Sequence, residues 1–271
     1  MVKGEVKKLK ISPLTLDDRF AKEGLEAVST LTGKEPYYLV GGMATQSYVP
    51  TLCRRPTSDI DFSVVKPLSY REFKEFSKPV VEYLRDNNYN VETRQRSRAF
   101  NLEVENKEGE KLLIEFSRRN KKSFDNSRKR LERELENSKR KIVERGEGTY
   151  IVSTPEDIIL PKLVRSINSL IRNPQFKNNL TRKAGISEKD INSRLARISK
   201  YREDAMLTPT DLEFAEELRF ISDIYDIEIL SVIAGINAEY FEKASSEWNA
   251  ITENSLEKQL LFNVLPRING E

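Results

Sequence analysis

The stretch that decides the fold is Leu39-Val40-Gly41-Gly42-Met43-Ala44, followed after a spacer by Arg55-Pro56-Thr57-Ser58-Asp59-Ile60-Asp61-Phe62. Tyr37-Tyr38-Leu39-Val40 is an apolar strand candidate running straight into paired glycines, and residues from Met43 to Tyr48 can be helical until Pro50. The arrangement reads as strand, glycine turn, helix. After the loop around Arg54-Arg55-Pro56, the stretch Ile60 to Val65 carries β-branched and aromatic residues and ends at Pro67, so it reads as a second strand. Residues two apart on a strand share a face, so Asp59 and Asp61 would present two carboxylates side by side. Like charges that close need a cation, and an all-oxygen donor set is the kind Mg²⁺ prefers.

Working outward, apolar positions Leu16, Phe20, Leu25, Val28 and Leu31 recur at near-helical spacing before Gly33 and Pro36, which gives one amphipathic helix from Leu16 to Leu31. Tyr70 to Leu84 is a second helix with Phe73, Phe76, Val80 and Leu84 on one side, and Pro79 predicts a kink or break within it. Strands are expected around Val91 to Thr93, Ala99 to Val104 and Leu112 to Phe116, the last two joined by a turn at Asn106-Lys107-Glu108-Gly109. Ser127 to Val143 is highly charged, with Leu131, Leu135 and Ile142 as a thin apolar seam, and Tyr150-Ile151-Val152 is a short strand placed at an edge. Beyond Ser153 the segments Ile158 to Leu170, Ile191 to Ile198, Asp211 to Ala234 and Ala238 to Phe262 all read as helical. The expected organisation is therefore a mixed α/β (α+β) unit over residues 1–150 and a helical unit over 151–271.

Composition narrows the chemistry. The 271 residues contain no histidine and one cysteine, which excludes Ser-His-Asp and Cys-His catalysis and imidazole-ligated zinc. Cys53 reads as a bystander thiol, since nothing of that kind can activate it. With 38% apolar and 33% charged residues, no long apolar run and no apolar stretch in the basic N-terminus, the chain reads as a globular cytoplasmic protein. A formal net charge of +3 does not by itself announce a nucleic-acid partner.

Each piece is weak alone: an Asp-x-Asp is commonly solvated, and a Gly-Gly after a strand is commonly just a turn. Together they resemble the polymerase-β-like nucleotidyltransferase superfamily, whose pattern is Gly-Gly or Gly-Ser at a strand-to-helix turn followed by Asp-x-Asp on the next strand. Within it the chain resembles the AbiEii and MenT-type toxin branch, whose Arg-x-Thr-x-Asp-x-Asp wording Arg55-Pro56-Thr57-Ser58-Asp59-Ile60-Asp61 matches in full.

The resemblance implies a metal site of Asp59, Asp61 and a third carboxylate from a later strand. Glu115, flanked by apolar residues, fits best, with Glu103 and Glu105 as rivals that alternate like a solvent-facing row. It implies Mg²⁺ or Mn²⁺ as cofactor, a nucleoside triphosphate such as ATP as co-substrate, and nucleotide contacts from Gly41, Gly42, Arg55, Thr57 and Lys162. Ser153-Thr154-Pro155-Glu156-Asp157 opens the helix carrying Lys162, as in the branch, although Pro161 just before the lysine is a departure. Asp223-Ile224-Tyr225-Asp226 matches an Asp-x-x-Asp element whose second acid helps organise the site, with Ser222 where a basic residue is usual. The catalytic set implied is thus Asp59, Asp61, Glu115, Lys162 and Asp226.

The branch also implies an RNA acceptor, specifically the tRNA 3′ end, a role in a toxin–antitoxin or phage-defence system, and a cognate antitoxin. The basic segment from Arg118 to Arg145 offers a physical reason for RNA, although Glu132, Glu134, Glu136 and Glu144 interleave it. A protein or small-molecule acceptor, or a non-catalytic nucleotide- or antitoxin-binding protein of the same fold, stays open from the sequence.

Overall fold

The computed structural model describes residues 14–178, apart from positions 32, 34, 35 and 145, and residues 209–264. The predicted helix from Ile191 to Ile198 and part of the basic segment, Arg145, lie outside the described residues. Seven strands form one sheet: Tyr37–Val40 (β1), Asp59–Val64 (β2), Asn90–Gln95 (β3), Ala99–Glu105 (β4), Lys111–Ser117 (β5), Lys139–Ile142 (β6) and Thr149–Val152 (β7). Their spatial order is β3-β4-β5-β2-β1-β7-β6. The sheet is mixed, as expected: β2 runs parallel to β5 and β1 parallel to β7, and the other neighbours are antiparallel.

Strand alternation sorts the side chains into two faces. One face carries Ile60, Phe62, Leu102, Ile114 and Phe116, all at most 1% exposed, and is covered by Arg19–Ser29 (α1) and Tyr70–Asp86 (α3). Rings interlock there, with Phe62 stacked on Phe116 at 5.2 Å and Phe73 on Phe100 at 4.6 Å between centroids. α3 starts with a capping box between Ser69 and Glu72 and runs unbroken through Pro79. The predicted break does not occur, because proline removes one backbone donor while Phe73, Phe76, Val80 and Leu84 anchor both sides of it in the core.

The opposite face is covered in part by Lys121–Asn137 (α4), whose Leu131 closes on Tyr38 and Val65 with Phe124, Leu135, Val40 and Ile151 around them. The charged helix is as long as the sequence implied but is displaced, starting at Lys121 rather than Ser127. It stops at Asn137, Ser138 turns to ψ 150, and residues 139–142 pair antiparallel with β7 as the edge strand. Ile142 is consequently not part of the seam but 69% exposed, and β7 is an interior strand rather than the edge.

After β7, the described residues are helical. Pro155–Arg172 (α5) is capped by Thr154, whose side chain accepts from the Asp157 N–H, and is continuous through Pro161. Pro209–Ile229 (α6) packs along α5 and ends in a π turn, Leu230–Ala234. The expected single helix from Ala238 to Phe262 is instead three pieces, Ala238–Ser245 (α7), Asn249–Thr252 (α8) and Leu256–Val264 (α9), because Trp248 and Glu253 take extended conformations. Buried residues of the sheet and of α5 and α6 form one continuous apolar cluster. Among the described residues no helix is long and apolar enough to cross a membrane.

Candidate active site

The parallel register of β2 and β5 sets Asp61 beside Glu115 and Asp59 beside Leu113. Asp59, Asp61 and Glu115 therefore project from the face opposite the core, and one oxygen from each lies within 4.8 Å of the others, all three half-buried. Thr57 Oγ1 donates to Asp59 Oδ1 at 3.0 Å and Ser58 Oγ to Oδ2 at 2.8 Å, which fixes that carboxylate. Burial, then the charges of Asp59 and Glu115, push the Asp61 carboxyl well above its ordinary range, against an opposing pull from Lys162 and Arg165. Glu115 is also raised, by burial and then Asp59, with Asn101 and Arg96 acting the other way. The cluster lacks positive charge, and an all-oxygen trio fits a hard divalent cation.

Val40 stands opposite Asp61 in the β1–β2 ladder, so the turn that follows β1 begins beside the cluster. Gly41 has φ +75, and a Cβ there would come within 2.6 Å of Asp61 Oδ2. A Cβ on Gly42 would meet Thr57 Oγ1 at 2.8 Å. Both glycines are thus required by close approach. The helix they open, Gly41–Gln46 (α2), begins two residues earlier than the sequence suggested, at the paired glycines themselves.

A second charged group adjoins the first. Asp226, fully buried, accepts from Arg55 Nε at 2.7 Å, from Arg55 Nη2 and from Lys162 Nζ at 2.6 Å. Burial would raise its carboxyl, but Arg55 and Lys162 outweigh that and hold it below the ordinary value. Lys162 also lies 3.6 Å from Asp223, which is bound by Arg165. The Lys162 ammonium, 2% exposed as a residue, does not point to bulk solvent, and its charge is felt at Asp61. Asp59, Asp61, Glu115, Gly41, Gly42 and Thr57 thus form one group, and Arg55, Lys162, Asp223 and Asp226 a neighbouring one.

The rivals are otherwise engaged. Glu103 shares the Glu115 face but binds Arg94 and Arg96, and Glu105 pairs with Lys111. Arg119, counted in the basic segment, donates to Val64 O and to Ser63 and Ser117, and burial lowers its pKa; it holds the sheet together. Lys121, Lys122 and Lys129 are exposed. Two participants escaped the sequence reading. Arg165 carried a usable signal, three residues beyond Lys162 on one helix face; Asn101, 4% exposed and level with Glu115 on β4, carried none.

No protein family and no curated protein matches the chain. Among solved structures, an antigenic nucleotidyltransferase-like protein from Paracoccidioides brasiliensis aligns over 88% of this chain and 95% of its own, at 15% identity and a TM-score of 0.39. Terminal uridylyl transferase 4 from Trypanosoma brucei with bound dUTP aligns over 83% and 71%, at 14% identity and a TM-score of 0.27. Its complex with GTP covers 79% and 66%, at 14% identity and a TM-score of 0.25. These structural neighbours are nucleotidyltransferase-like proteins, and the likeness is loose at such scores.

Proposed function

We propose that this protein is a metal-dependent nucleotidyltransferase that moves a nucleotide from a nucleoside triphosphate to an acceptor hydroxyl. The observation that carries the reading is the trio Asp59, Asp61 and Glu115, with oxygens within 4.8 Å of one another on parallel neighbouring strands beside the Gly41-Gly42 turn. The trio would hold Mg²⁺ or Mn²⁺, which when bound supplies charge neutralisation at the phosphates and acidifies the acceptor hydroxyl.

In this reading the acceptor oxygen attacks the α-phosphorus, the bond to pyrophosphate breaks, and the hydroxyl proton passes to a carboxylate. We assign that role to Glu115, which stands on the strand next to the Asp59 and Asp61 pair. Gly41 and Gly42, without side chains, let backbone N–H groups approach phosphate, and Arg55 and Lys162 supply the positive charge that remains after pairing with Asp226. Thr57 fixes Asp59. Residues 1–150 form the catalytic unit in this account and 151–271 a helical unit that brings Lys162 and Asp226 to it.

For the acceptor we favour RNA, specifically the tRNA 3′ end, in the role of a cytoplasmic toxin restrained by an antitoxin. Support comes from the Arg55 to Asp61 wording, the segments around Lys162 and Asp226, and the exposed Lys121, Lys122 and Lys129 on α4. The test is incubation with Mg²⁺ and each labelled triphosphate against separate RNA, protein and small-molecule pools. Label in tRNA, absent in Asp59→Ala and Asp61→Ala, is the expected result. Label in protein alone would overturn the acceptor, and no transfer to any pool would overturn the enzyme.

A further inference from the structure

Lys162 and Arg165 occupy neighbouring positions on one face of α5, yet their surroundings differ. The Lys162 side chain is 3% exposed and enclosed by Asp223 and Asp226, whereas that of Arg165 is 47% exposed. Asp223, itself buried, accepts from Arg165 Nε at 2.9 Å and from Nη2 at 2.8 Å. That two-pronged pairing fixes the plane of the guanidinium and takes two of its five N–H donors. The others are on the side away from Asp223.

The charge balance points the same way. Arg55, Lys162 and Arg165 stand against Asp223 and Asp226, so the group carries one positive charge more than its carboxylates. Arg55 and Lys162 are largely buried, at 13% and 3% side-chain exposure, so Arg165, at 47%, is the cation of the group that solvent reaches most. A chain of contacts links it to the glycine turn beside the carboxylate trio: Asp223 also lies 3.6 Å from Lys162, Lys162 and Arg55 share Asp226, and Arg55 Nη2 would lie 3.5 Å from a Cβ on Gly42.

We infer that Arg165 is a nucleotide-binding residue whose outward N–H groups, oriented by Asp223, contact the terminal phosphates of the co-substrate and select triphosphate over monophosphate. The inference rests on the proposed nucleotidyl transfer and adds a residue and a selectivity to it. A planar fork held by a buried carboxylate is suited to phosphate oxygens, and a lysine at 165 would keep the charge but lose the fork.

The test is isothermal titration of the full chain with Mg²⁺ and a non-hydrolysable α,β-imido analogue of whichever triphosphate the wild type binds, alongside the matching monophosphate. Arg165→Gln should weaken the triphosphate analogue roughly 10- to 100-fold, the worth of a hydrogen bond to a charged group, and leave monophosphate affinity at the wild-type value. Arg165→Lys should fall between. Wild-type affinity for the triphosphate in Arg165→Gln, or an equal loss for both ligands, overturns the inference while nucleotidyl transfer stands. Should Arg165→Gln fail to fold, Arg165→Lys decides alone, with unchanged triphosphate affinity as the overturning result. If the wild type binds no triphosphate analogue, the proposed function fails first and the inference with it.

Discussion

Asp61 sits where three carboxylates converge, and its electrostatics give the metal-free protein a distinctive pH response. Its carboxyl and that of Glu115 titrate above their ordinary values in the fold, so the protonated forms are favoured there. Their contribution to stability is complete below the ordinary carboxylate range and is lost as pH rises through the raised values. Asp226 behaves oppositely: its contribution is present above the ordinary value and is lost as pH falls through the lowered one. The EDTA-treated protein should therefore melt highest in mildly acidic buffer, and Mg²⁺ should stabilise it more at neutral pH than at the acid side. Asp61→Asn should raise the neutral-pH melting temperature without metal and abolish transfer; a lower melting temperature would contradict this account. Gly41→Ala is the converse case. Its left-handed backbone costs about 1–2 kcal/mol for a residue with Cβ, and the methyl would displace the Asp61 carboxylate. Chemical denaturation and Mn²⁺ titration followed by electron paramagnetic resonance should both register the loss. Asp59, Asp61 and Gly41 were legible in the sequence because strand alternation and a glycine turn are local rules. Asn101 was not, because what makes it a neighbour of Glu115 is the β4–β5 register.

α5 shows how much a single helix can carry between two charged groups. Thr154 caps it, Pro155 opens it, and its buried side takes Lys162 into contact with α6. Asp226→Ala would leave Arg55 and Lys162 without their shared carboxylate in the interior, at a cost of about 3–5 kcal/mol. Asp223→Asn should cost clearly less, because Arg165 keeps access to water and Lys162 keeps Asp226. Urea denaturation of both variants checks the order, and equal losses would refute it. The Pro155-Glu156-Asp157 start of α5 could be read directly, since capping chemistry is encoded within four residues. The strand Lys139–Ile142 could not. Its residues are three cations and one isoleucine with no alternation, and only pairing with β7 makes them a strand.

Across the molecule, α4, α5 and α7 are tied by a second buried polar group. Arg133 donates to Asp157 Oδ1 at 2.8 Å, to both oxygens of Glu247 and to Tyr240, while Tyr240 donates to Asp157 Oδ2 at 2.7 Å. Arg133→Leu should leave Asp157 and Glu247 without their shared cation and loosen α7, so amide exchange over residues 238–247 should quicken while that of residues 59–64 in the central strand stays slow. Exchange unchanged in both segments would show that Arg133 does not hold α7 in place. Nothing local in the sequence marked Arg133, one cation among many in a charged run; its partners lie 24 and 114 residues away. The strand order has a consequence for how the protein is made. The carboxylate trio is complete once the chain has emerged through β5, but Lys162 and Asp226 arrive much later, from α5 and α6. During translation, domains fold as their residues leave the ribosome. A nascent chain passes through a stage in which it has the three carboxylates and Arg55 but neither Lys162 nor the Asp226 that pairs with both cations, so a ribosome-bound intermediate would hold nucleotides poorly until α6 is out.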